Sequence, residues 1–76
     1  MIHQDADLYA SLLDKGASLQ HELRTGRRGW VQIVRGALQV NGTKLESGDG
    51  LAIENETSLN LIADKDKTEF LIFDLP

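Results

Sequence analysis

The chain is 76 residues long, which sets one domain, 1–76, too small to bury a large core. It has no cysteine, which excludes disulfides, thiolate metal sites and a Cys nucleophile and fits a reducing, cytoplasmic setting. The net charge is −4, against the basic footprint a nucleic-acid binder needs, and no apolar run reaches the roughly 18 residues of a membrane-spanning helix.

The opening Met-Ile-His-Gln-Asp lacks the basic-then-apolar order of a signal peptide. Asp7 to Leu13 follows. Leu8, Tyr9, Leu12 and Leu13 could share a helix face, but Asp14-Lys15-Gly16 follows as a turn and the rest of the chain reads β, so a strand is favoured. From Ala17 to Leu23 the side chains alternate. Ala17, Leu19, His21 and Leu23 fall on one face, and Ser18, Gln20 and Glu22 on the other. Arg24 to Gly29 is a loop, broken by Gly26 and Gly29. Its Arg24, Arg27 and Arg28 read as a solvated turn, with an anion contact as the alternative.

Trp30 to Arg35 is nearly continuously apolar, as expected of a strand covered on both faces, and Gly36 marks a bulge or bend. Ala37 to Val40, Asn41-Gly42 and Thr43 to Leu45 spell a hairpin. Asn-Gly suits a type I′ turn because both central residues need positive φ. In Ser47-Gly48-Asp49-Gly50 the expected positive φ falls on Gly50, and Asp49 bonds nearby backbone amides. Leu51 to Ile53 is a short strand. Leu59, Leu61 and Ala63 alternate with Ser58, Asn60 and Ile62. Asp64 to Lys67 is a charged turn. Glu69 to Leu75 is the last strand, and Pro76 ends it. About eight short strands at this spacing, without a helix, predict an all-β barrel or sandwich.

Charge is uneven. Residues 1–38 carry five basic and four acidic groups; residues 39–76 carry three basic and eight acidic ones. The acidic pairs Glu54/Glu56 and Asp64/Asp66 sit in polar turns and read as solvated carboxylates. No serine lies in a Gly-x-Ser-x-Gly elbow, and only His3 and His21 could serve as a base. Gly48-Asp49-Gly50 lacks the Lys-Ser/Thr and helix of a phosphate loop. No catalytic residue is assigned.

Taken in order, several segments resemble a cupin, and most closely the C-terminal cupin domain of pirin and quercetinase-like two-cupin proteins. They are Gln4-Asp5-Ala6, Leu8-Tyr9-Ala10, Gly16, Gly26-Arg27-Arg28 and Trp30 to Gly36, then Leu45, Gly48-Asp49-Gly50 and Leu71 to Pro76. The resemblance spans nearly the whole chain. It implies a cupin-like small antiparallel β-barrel or jelly roll, packed in such proteins against an N-terminal cupin that usually holds the metal. Metal-dependent cupins use three histidines and a glutamate. Aligned on Gly36, the glutamate position falls on Gly29. The paired histidine positions fall on His21 and Leu23; a stricter count from Gly16 gives Glu22 and Arg24 instead, turning Leu19 and Leu23 outward. The second motif's histidine falls on Leu59. One imidazole cannot hold a transition metal, so the resemblance implies no metal site and no cofactor.

The expected function is therefore non-catalytic: a metal-free module that associates with itself, as a homodimer, or with another cupin domain. If Val31 and Ile33 fill the barrel, then Trp30, Gln32 and Val34 point outward as a candidate interface. A second reading is binding of a small apolar molecule in the interior, with His21 as polar handle and Leu23, Val31, Ile33, Leu59 and Leu61 as walls. A third is a degenerate quercetinase-type dioxygenase, against which the residues at Gly29, Leu23 and Leu59 argue.

Overall fold

The computed structural model describes residues 7–23, 26–54 and 56–76. These form eight strands: β1 (Asp7–Leu13), β2 (Ser18–Glu22), β3 (Arg28–Arg35), β4 (Ala37–Val40), β5 (Thr43–Glu46), β6 (Gly50–Ile53), β7 (Ser58–Ala63) and β8 (Thr68–Leu75). His3 and Arg24, singled out above, lie outside the described residues.

Two four-stranded sheets result. The first has the order β1-β8-β3-β6 and the second β2-β7-β4-β5, with every pairing antiparallel. Period-2 alternation sends one set of side chains between the sheets. There Val31, Ile33, Leu38, Val40, Leu59, Leu61, Phe70 and Ile72 are fully buried. Leu13, Leu19 and Leu51 pack on the rim of this core.

The turns follow their residues. Asn41 and Gly42 both have positive φ, 49° and 86°, as a type I′ hairpin requires. The Asn41 side chain also ties this turn to β7: its Oδ1 accepts from Asn60 N at 2.7 Å, and its Nδ2 donates to Ser58 O at 3.1 Å and to Glu56. A register shift lies between Ile33 and Arg35, so the bulge precedes Gly36. Gly36 turns the corner between β3 and β4 at φ 91°, where an added Cβ would lie 2.7 Å from the Thr68 Cα. Thr68 is buried here; its hydroxyl donates to Lys65 O at 2.7 Å and accepts from Ala37 N at 3.3 Å.

Two expectations need correction. The positive φ in the second turn belongs to Gly48, at 87°, and not to Gly50. Asp49 does bond the backbone, with its Oδ2 accepting from Glu46 N at 2.8 Å. Secondly, β3 is covered on one face only. Val31 and Ile33 are buried while Trp30 and Val34 are exposed, because no layer of the described chain lies over the outer side of the first sheet.

Candidate functional site

The outer face of the first sheet is the unusual surface. Cross-strand register lines up Leu8, Phe73, Trp30 and Ala52 in one row across all four strands. A second row holds Ala10, Leu71, Gln32 and Gly50. Leu8 is 59% exposed, Leu12 64% and Trp30 38%, and Leu71 and Phe73 are half-buried. A solvated sheet face normally alternates to polar residues. The two rows therefore leave contiguous apolar surface on the outer side of this sheet.

Trp30 is tethered within it by one side-chain hydrogen bond. Its indole Nε1 donates to Gln32 Oε1 at 3.2 Å. Gln32 Nε2 in turn donates to Gly48 O at 3.2 Å and Asp49 O at 3.1 Å. The ring lies on β6 where Gly50 has no side chain: a Cβ there would come within 2.8 Å of the indole Cε2. The glycine thus serves the tryptophan rather than the turn, and the polar atoms of Trp30 and Gln32 are paired within the chain. What the face presents outward is apolar surface around an aromatic ring tethered at its indole nitrogen.

The second site is polar and lies between the sheets. Asp74 points inward from β8 and is buried. Arg27 Nε donates to its Oδ1 at 2.6 Å and Nη2 to its backbone carbonyl at 2.9 Å; both side chains are 8% exposed. Arg27 is therefore no solvated turn residue, as the arginine cluster suggested, but half of a buried ion pair. Arg28 beside it is exposed. His21 Nε2 lies 3.5 Å from the other Asp74 oxygen, is buried, and has no hydrogen-bond partner among the described residues. The Tyr9 ring tilts against the imidazole, with centroids 4.7 Å apart. The signal for this cluster in the sequence was weak: one acid at an inward position of an apolar strand, 47 residues from its partner.

Leu23 and Leu59 are buried in the core. At Gly29 an added Cβ would sit 3.2 Å from Leu23 Cδ1 and 3.3 Å from Ile53 Cβ, so apolar side chains already fill the space toward which a glutamate would grow. Among the described residues no three His, Asp or Glu side chains come together as a metal-binding group. The residues present do not fit the metal of metal-dependent cupins. Of the remaining candidate pocket residues, Val31, Ile33 and Leu61 pack with Leu23 and Leu59 as core, and His21 stands at its edge. Two surface clefts run elsewhere, one bordered by Val40, Thr43 and Leu51, the other by Arg28, Trp30 and Leu75.

Two antiparallel four-stranded sheets enclosing a core in this strand order define a cupin. The chain belongs to the family described as the quercetinase C-terminal cupin domain, whose profile matches residues 1–75. It is 43% identical over 75 residues to quercetin 2,3-dioxygenase of Escherichia coli K12, covering 99% of this chain and 32% of that protein. The crystal structure of the bacterial pirin YhhW from Escherichia coli in complex with nickel(II) superposes with a TM-score of 0.93 at 43% identity, again over 99% of this chain and 32% of that one. A Cupin_2 domain of an XRE family transcriptional regulator from Enterobacter cloacae gives 0.82 at 15% identity over 96% of this chain, a likeness of fold alone. The chain thus spans about a third of the curated relatives it matches.

Proposed function

We propose that this domain is a metal-free cupin module that works by docking: the outer face of its first sheet seats a second cupin domain, from another copy or from a longer chain. The observation that carries this reading is the apolar row Leu8–Phe73–Trp30–Ala52, four strands wide, around an anchor fixed by Gln32 and Gly50. Val34, exposed further along β3, extends the surface. The relatives supply a reason for such a face, since about two thirds of their length lies beyond the match and the matching family is a C-terminal cupin domain. Dioxygenase activity is not assigned to this domain, because Gly29, Leu23 and Leu59 offer no ligand atoms where metal-dependent cupins have them.

Trp30 is the sole tryptophan, so it reports directly on the face. Mixing the chain with the non-matching two thirds of the E. coli relative is expected to shift Trp30 emission to the blue, shield it from acrylamide and yield a complex by native mass spectrometry. Trp30→Ala is expected to abolish that complex. Retention of a full-strength complex by Trp30→Ala would remove the face from the mechanism.

A second reading rests on His21. Its buried Nε2, without a hydrogen-bond partner among the described residues, is a polar handle at the edge of an apolar core, suited to a small apolar ligand carrying one hydrogen-bonding group. A thermal-shift screen with such compounds tests it: His21→Phe should erase any rise in melting temperature.

A further inference from the structure

We infer that β1 is a self-complementary edge through which two copies of this chain join their first sheets into one continuous eight-stranded sheet. The inference does not rest on the docking face: it uses the rim of the sheet, which shares only Leu8 with the Trp30 row.

Four strands end the two sheets: β1 and β6 in the first, β2 and β5 in the second. Free edges in soluble proteins are usually kept short or charged. β6 and β5 have four residues each, β2 has five, and β5 carries Lys44 and Glu46. β1 departs from this pattern. It has seven residues, pairs only with β8 among the described strands, and carries no charge after Asp7. Its Leu8 and Leu12 are the two most exposed large apolar residues described.

The occupant follows from the register. A two-fold axis normal to the sheet pairs β1 with a second β1 in antiparallel fashion and keeps both outer faces on the same side. Full overlap of Asp7–Leu13 with itself places Ala10 on the axis. Leu8 then lies opposite the other copy's Leu12, and Leu12 opposite its Leu8, on the outer face. On the inner face Tyr9 meets Ser11. Asp7 falls opposite Leu13, so no two carboxylates of β1 are set against each other. The register with the most backbone hydrogen bonds is thus also the one that pairs leucine with leucine across a small central residue. A foreign strand would need to supply that spacing by chance; a second copy supplies it by symmetry. The joined sheet lengthens each Leu8–Phe73–Trp30–Ala52 row and leaves both copies' Trp30 uncovered, two strands from the seam.

Cross-linking tests both the dimer and its register, because the chain contains no cysteine. Under mild oxidation Ala10→Cys is expected to give a covalent dimer rapidly. Leu8→Cys alone should not, while an equimolar mixture of Leu8→Cys and Leu12→Cys should. Native mass spectrometry of the unmodified chain should show a dimer with unchanged Trp30 emission. Ala10→Lys, which sets two ammonium groups on the axis, is expected to weaken the dimer about tenfold or more. A monomer at high micromolar concentration, or Ala10→Cys that cross-links no faster than Leu8→Cys alone, would overturn the inference. So would a dimer that blue-shifts Trp30, which would place the contact on the sheet face instead.

Discussion

Gly50 and Trp30 illustrate how one residue's absence of a side chain defines another's role. The indole occupies the space above Gly50 and is anchored by Gln32. Gly50→Ala therefore puts a methyl group into the ring. Because the indole is the solvent-facing end of a rotatable side chain, it will swing away before the backbone yields. The expected stability loss is only about 1 kcal/mol, at the low end of overpacking costs. The expected loss of Trp30 order is larger: red-shifted emission, easier acrylamide quenching and weaker docking. Unchanged emission from Gly50→Ala would show that the ring is not seated there.

At the scale of elements, the ion pair of Arg27 and Asp74 ties the loop before β3 to the inner face of β8. Desolvating two charges is costly, and the Nε–Oδ1 contact together with the Nη2 bond to the Asp74 carbonyl offsets part of that cost. Removing one partner strands the other. Arg27→Met is expected to cost about 3 kcal/mol in urea denaturation. The double variant Arg27→Met/Asp74→Leu should recover most of that loss, since it replaces a buried pair with apolar volume. If the double variant is no more stable than the single one, the pair is not the feature holding the loop.

At the scale of the molecule, the barrel interior is apolar at three of the four positions where metal-dependent cupins carry ligands, Gly29, Leu23 and Leu59, and His21 stands alone at the fourth. Leu23 and Ile53 close over Gly29, and Leu59 is fully buried. Anything that binds only the folded state raises the melting temperature. Nickel, iron or manganese is therefore expected to leave the melting curve of this chain unmoved, and a chelator likewise. Restoring the acid does not restore a site. Gly29→Glu is expected to destabilise by roughly 1–3 kcal/mol, because the new side chain enters a filled core with no metal to pair its charge. A metal-dependent rise in melting temperature, in the natural chain or in Gly29→Glu, would contradict this account.

The fold was legible in the chain because strand faces follow a period of two. Val31 and Ile33, and Leu59 and Leu61, could be sorted to one side without any partner in view, and the Asn41-Gly42 hairpin announced itself through the positive φ its residues tolerate. The departure at Gly29 was visible only through the resemblance, which sets a glutamate where this chain has no side chain. What the chain could not reveal was which faces are covered and which distant residues meet. The apolar run of β3 looked like a strand buried on both sides, and only the strand order left its outer side open. Arg27 read as solvated until β8 brought Asp74 to it, and Gly50 read as a turn residue until β3 laid Trp30 across it. The alternation along each strand is local stereochemistry, so the sequence by itself determined it. Burial, charge pairing and the apolar face arise from strands remote in sequence, and only the tertiary structure decided those.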